Sequence, residues 1–101
     1  MPNRTIIATF SKEGLMRYIS HLDFIRLLYR SLRRADLPYV LTAGYNRHPK
    51  ISFGKALKVG QEGVMEARFF LSRELGLEEF NKRMQKQLVE GIKIIEINYG
   101  K

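Results

Sequence analysis

Apolar residues recur with two different periods along the chain, and the change of period marks the predicted elements. Residues 5–11 are β-branched and aromatic, which favours a strand, and a turn leads into a second short extended piece at 15–19. From Ser20 the apolar residues follow helical spacing to about Asp36. Leu37-Pro38 then ends the helix, because the residue before a proline avoids the α region.

The second half of the chain repeats this alternation of strand and helix patterns. Extended segments are predicted at 39–42, 51–59, 64–71 and 92–99, and a second helix at 77–90 that Gly91 closes. The turn at 60–63 makes the two middle segments a hairpin. The order βαββαβ predicts an α+β fold, the ferredoxin-like sandwich, with two helices on one face of a four-stranded antiparallel sheet. We expect residues 1–101 to form one such domain.

The first helix carries two kinds of surface. Ser20 is the predicted N-cap, with Asp23 three positions later as in a capping box. At about 100° per residue one side is apolar and is predicted to enter the core: Leu22, Ile25, Leu28, Tyr29, Leu32 and Ala35. Four arginines share the neighbouring arc: Arg26, Arg30, Arg33 and Arg34. Asp23 is the one acidic residue of the helix that could neutralise them before Asp36.

Charge is concentrated in the same part of the chain. The formal net charge is +8, and residues 26–58 hold +7 of it, with Asp36 as their one acidic residue. Their basic residues are Arg26, Arg30, Arg33, Arg34, Arg47, Lys50, Lys55 and Lys58. A docking surface for an anionic partner is indicated. The alternative is a solvated basic surface, or one paired with acids such as Glu62 or Glu66.

Composition excludes several classes of protein. A hydrophobic content of 45% argues against a disordered tail, and the absence of cysteine excludes disulfides and thiolate metal sites. No apolar run approaches the roughly 18 residues that a membrane span requires. We therefore expect a cytoplasmic protein that binds no metal and no cofactor of its own and does not contact a membrane.

Two segments resemble the signatures of a known family. They are Ser20-His21-Leu22-Asp23 and residues 44–53, GYNRHPKISF. Both are similar to motifs of the radical-SAM-linked domain of unknown function, which occurs fused to or encoded beside B12-binding-type radical SAM proteins, often near ribonuclease G. In that family the loop usually has proline where this chain has Arg47. The resemblance implies a radical SAM protein as partner and a role in RNA metabolism.

Eleven residues are candidates for binding RNA, with tRNA as one candidate. They are Arg26, Arg30, Arg33, Arg34, Tyr45, Asn46, Arg47, His48, Lys50, Ser52 and Lys55. Guanidinium groups make bidentate contacts to phosphate, and an exposed Tyr45 would stack on an unpaired base. Core packing is the alternative for Tyr45 and for Phe53, whereas Ser52 alternates with inward-pointing neighbours and is expected to face outward.

The two histidines are weaker candidates for catalysis. His21 lies in the first helical turn, where a packed histidine is the more common role. His48 lies in the basic loop, where it either stabilises the loop or acts as a neutral base. An acid–base pair requires the loop to pack over the start of the helix.

The leading hypothesis is an RNA-recognition module that works with a radical SAM enzyme, with catalysis in the partner. The alternatives are a metal-independent endoribonuclease that uses His21 or His48, and a domain that docks on an acidic patch of the radical SAM protein.

Overall fold

A computed structural model describes residues 4–54 and 63–100 of the chain. Four strands form one antiparallel sheet in the order β2-β3-β1-β4: β1 is Thr5–Lys12, β2 is Ile51–Phe53, β3 is Gly63–Phe70 and β4 is Ile92–Tyr99. The two helices are α1, His21–Arg34, and α2, Leu77–Gln87. The ferredoxin-like βαββαβ arrangement predicted from the sequence is confirmed.

Both helices pack on the same face of the sheet. Phe10 of β1 and Phe69 of β3 have ring centroids 6.1 Å apart, so their side chains share one face. Phe24 of α1 lies 5.7 Å from the Phe10 ring, and Phe80 of α2 lies 5.1 Å from the Phe69 ring. All four rings are almost fully buried and form the centre of the core. The other face of the sheet is left open by the two helices.

Local hydrogen bonds fix both ends of α1. The Ser20 hydroxyl accepts a bond of 3.1 Å from the Asp23 N–H, so Ser20 is the N-cap as predicted. At the other end Asp36 has φ 54°, and Leu37 N–H donates to the Leu32 carbonyl at 3.2 Å. Together with the Asp36 N–H bond to Arg33 this is a Schellman motif, with aspartate in the position that glycine usually occupies.

The buried side of α1 is rotated from the predicted one. Phe24 and Leu27 are buried, whereas Leu22 is 54% exposed, so the prediction that Leu22 enters the core was wrong. Ser31 lies in the middle of the buried side and donates a bond of 2.8 Å to the Leu27 carbonyl. A polar residue at the centre of the apolar stripe obscured its true direction. Leu28, Leu32 and Ala35 are buried as expected.

Two predicted extended segments take other forms. Residues Gly14–Tyr18 form a 3₁₀ turn, because Gly14 with φ 59° and a bond from Met16 N–H to the Glu13 carbonyl coil the chain. Segment 39–42 makes only two isolated bridges, Tyr39 with Leu71 and Leu41 with Pro49. Neither segment is the strand that its apolar residues suggested.

The remaining boundaries differ in smaller ways. The predicted strand 51–59 is seen as Ile51–Phe53, and its residues 55–59, together with most of the turn at 60–63, lie outside the described residues. α2 ends at Gln87 with Leu88 as C-cap, three residues before the predicted end. Gly91, with φ 94°, instead turns the chain into β4.

Candidate nucleic-acid interface

The arginine stripe, defined as Arg26, Arg30, Arg33 and Arg34, covers the outer side of α1. All four side chains are exposed, and their helical positions lie opposite the buried residues of the same helix. Each arginine is three or four residues from another, about 4.5 to 6 Å along the helix axis. The stripe is therefore a continuous cationic surface.

Little negative charge neutralises the arginine stripe. Arg26 approaches Asp23 at 3.8 Å, and both side chains of this pair are 63% exposed. Arg30, Arg33 and Arg34 form no ion pair with any residue in 4–54 or 63–100. Glu66 lies on the open face of the sheet, because it alternates with the buried Met65 and Ala67. It does not pair with the stripe, and Glu62 lies outside the described residues.

The loop 43–47 projects from the sheet edge. Its base is closed by bonds from Thr42 N–H to the His48 carbonyl at 2.9 Å and from Lys50 N–H to the Val40 carbonyl at 2.7 Å. Residues 43–47, which include Asn46 and Arg47, are exposed, and Tyr45 is fully so. Gly44 has φ 110°, a conformation that glycine adopts without strain. Tyr45 is thus free to stack on a ligand, and the core alternative does not apply to it.

A ring stack fastens this loop to α1. The His48 and Tyr29 rings lie 4.8 Å apart at an interplanar angle of 21°. His48 Nδ1 is 3.0 Å from the Pro49 carbonyl oxygen, so a proton on Nδ1 donates to that oxygen and leaves Nε2 as an acceptor. Burial raises the pKa of the Tyr29 phenol, and the neighbouring Arg33 opposes that rise in pKa. The contact places the loop beside the arginine stripe.

Other candidate residues lie on a different surface. Ser52 is exposed and pairs with Arg68 of β3, whose side chain shares the open face of the sheet. Lys50 lies on the same side, with Nζ 4.8 Å from the centre of the Phe70 ring. Lys50 and Ser52 therefore face away from the arginine stripe, and Lys55 lies outside the described residues, as does Lys58.

The two histidines contact different aromatic rings. His21 is half-buried and packs edge-on against Phe53 at 5.4 Å, and its Nδ1 has no hydrogen-bond partner within the described chain. His48 packs on Tyr29, eight residues and about 12 Å of helix axis beyond His21. The loop meets the third turn of α1 rather than its start, so the geometry required for an acid–base pair is not formed.

A family model described as "Uncharacterized protein conserved in bacteria (DUF2344)" matches residues 5–101. The chain belongs to DUF2344. The match spans the four strands, both helices and the loop that carries Tyr45. No curated protein and no solved structure matches the chain.

The described residues also bear on two other classes of site. Within 4–54 and 63–100, no three His, Asp or Glu side chains are grouped so that they could hold a metal ion. In that same part of the DUF2344 chain, none of the helices has the length and apolar character needed to cross a membrane.

Tyr29 is the residue of this interface that sequence reasoning missed. Its position among apolar residues led to its assignment to the core of the DUF2344 domain, whereas it is half-buried and holds His48. A signal was available in its spacing, since Tyr29 lies four residues before Arg33 on the edge of the arginine stripe.

Proposed function

We propose that this protein is an RNA-recognition module that binds its RNA, with tRNA as the candidate, through the arginine stripe and residues 43–48, which are the loop and His48 at its base. One observation carries the proposal. Three exposed arginines without an acidic partner in the described chain stand beside a loop that the His48–Tyr29 stack holds in place. Arginine binds phosphate oxygens through parallel N–H bonds, so a row of such groups suits a nucleic-acid backbone.

Tyr45 supports RNA over a protein partner of the same charge. An exposed aromatic ring among cationic residues is the arrangement with which proteins stack on unpaired bases. The ring is fully exposed at the tip of the loop, close in sequence to Arg47. RNA offers both the phosphates for the stripe and the exposed bases for Tyr45.

The proposal includes a radical SAM enzyme as the partner that performs the chemistry. Its support is the resemblance of residues 20–23 and 44–53 to the radical-SAM-linked family. On this account the present chain selects the RNA and has no catalytic role of its own.

The test is binding of a fluorescent tRNA pool to the purified protein across a salt series. If the four arginines and Arg47 each neutralise a phosphate, log K falls with log[salt] with a slope of about −3.5 to −4.5. Replacing His48 by Ala releases the loop and is expected to weaken binding about threefold, with a similar salt slope. Binding that is absent, or that does not depend on salt, would contradict the proposal.

The same samples separate the two rival functions. Cleavage of RNA in EDTA that disappears in His48→Ala would establish an endoribonuclease instead of a binding module. Absent RNA binding, combined with nuclease-resistant co-purification of a radical SAM protein, would establish a protein-docking domain.

A further inference from the structure

A cleft lies directly beside the arginine stripe. It has a volume of about 400 Å³ and lies between α1, the 3₁₀ turn and the segment that follows α2. Its lining is apolar at Met16, Ile19, Leu27 and Val89, and polar at Asp23, Arg26 and Arg30. The volume is within the range of small-ligand sites, about 300–1,000 Å³.

We infer that this cleft receives one unpaired base of the bound RNA, while Arg26 and Arg30 contact the adjoining phosphates. The inference rests on the proposed function and narrows its substrate class to RNA with a single-stranded or extruded nucleotide. A duplex has no free base to offer such a cleft.

The chemistry of the lining suits a nucleobase. The apolar side chains remove the faces of a base from water, and the thioether of Met16 makes favourable contacts with aromatic rings. Guanidinium planes also stack on bases, so Arg26 and Arg30 can hold a base as well as a phosphate. The Asp23 carboxylate can accept a hydrogen bond from an exocyclic amino group.

The inner, apolar part of the cleft wall is packed against the rest of the domain. Met16 is held by the bond from Ile19 N–H to its carbonyl at 3.1 Å. A Cβ on Gly91 would approach Met16 Cγ to 2.7 Å, so Met16 packs closely on this turn. Leu27 is 4% exposed and belongs to the core, whereas Val89 is 42% exposed at the mouth. Apolar side chains that are already packed lose little conformational freedom when a base covers them.

The experiment compares two single-stranded 12-nucleotide probes of equal charge, an oligoadenylate and an abasic ribose-phosphate chain. The wild-type protein is expected to bind the oligoadenylate at least about fivefold more tightly, with the same salt slope for both probes. Equal affinities with the salt slope retained would overturn the cleft and the stacking role of Tyr45, and would leave standing the phosphate contacts of the proposed function. If neither probe nor the tRNA pool binds, the proposed function fails as well.

Two variants test whether the cleft causes the tighter binding of the oligoadenylate. Val89→Gln places a polar side chain at its mouth and is expected to lower the ratio of the two affinities at least about twofold, while the stacking of Tyr45 is kept. The matched control Val64→Gln alters a valine that is 49% exposed on β3, outside the cleft, and should keep the ratio. Thermal melting checks that both variants fold.

Tyr45→Ala tests whether the loop or the cleft is responsible for the preference for a base, and it leaves the core unchanged. Because Tyr45 is fully exposed, this variant should fold normally. Its preference for the oligoadenylate should fall but not vanish, because one stacking ring is lost while the cleft still receives a base. Loss of the preference in Tyr45→Ala would overturn the inference, because the loop and not the cleft would then read the base.

Discussion

The outer surfaces of α1 and α2 differ in charge although both helices pack on the same face of the sheet. α1 presents four arginines with Asp23 as its one acidic residue. α2 begins with Glu78 and Glu79, which precede Lys82 and Arg83 by one turn, and Arg83 donates to the Asp36 carbonyl at 2.8 Å. Acids at the start of a helix and bases near its end complement the helix dipole, so the charges of α2 are those of an ordinary solvated helix.

The comparison shows that the arginine stripe is not a consequence of making an amphipathic helix. α2 keeps a polar outer side and a buried inner side with balanced charges. α1 could have done the same, yet its repulsive cations are one turn apart, where like charges destabilise a helix. The proposed function accounts for this difference, since phosphates bound to the arginines would neutralise them.

The largest expected effects on stability come from the buried phenylalanine that each helix contributes to the core. Phe24→Ala and Phe80→Ala each remove a fully buried ring and should lower the free energy of unfolding by about 3–5 kcal/mol. Urea denaturation followed by circular dichroism measures both, with Phe24→Leu and Phe80→Leu as milder variants if either alanine variant is largely unfolded. A cost below about 1 kcal/mol for one helix would show that the two do not contribute equally.

A smaller effect concerns a buried cation that lies against α1. Lys12 is 2% exposed, its Nζ is 5.8 Å from the Phe24 ring, and it forms no ion pair within the described residues. Lys12→Met should raise stability by about 1 kcal/mol, or the melting temperature by a few degrees, while the exposed control Lys93→Met should change little.

Lys12 also predicts a dependence on pH. Burial lowers the pKa of its ammonium group below the ordinary value of 10.5, so the unfolded state binds more protons between the lowered pKa and 10.5. Stability from this group therefore rises with pH across that window. The extra stability of Lys12→Met over the wild type should therefore shrink as the pH rises from 7 to 10. A stability difference that grows over this range would contradict a lowered pKa for Lys12.

Effects of about 1 kcal/mol or less are expected at the helix starts. Ser20→Ala removes the bond to the Asp23 N–H and should cost about 1 kcal/mol, because that donor loses its partner. α2 has Gly76 as N-cap with no side-chain bond, so Gly76→Ser should add a few tenths of a kcal/mol. Thermal melts of the two variants test this difference between the two N-caps. Equal shifts of the melting temperature with the same sign would contradict it.

The order of elements followed from sequence because the period of the apolar residues differs between strand and helix. The run 92–99 matches β4, and the arc of the four arginines follows from 100° per residue. The buried side of α1 was misjudged because Ser31 satisfies its hydroxyl within the helix and is buried like an apolar residue. Segment 39–42 has strand residues but pairs at isolated points, which local sequence does not encode.

The candidate site was predictable only in part. The stripe lies on one helix, so its geometry was local and could be read from spacing. Whether Lys50 and Ser52 joined it depended on which side of the sheet they face, and they lie on the opposite side. The Tyr29–His48 stack and the meeting of Met16 with Val89 bring distant segments together, and only the tertiary fold determines such contacts.

The most direct measurement is tRNA binding by two double charge reversals, Arg30→Glu/Arg34→Glu on α1 and Lys82→Glu/Lys86→Glu on α2. Both change the net charge equally, so only position distinguishes them. The α1 variant should lose about 30-fold in affinity at 0.1 M salt and about 1.5 in salt slope, and the α2 variant less than about threefold. Equal losses would show that net charge alone attracts the RNA and would contradict an interface on α1.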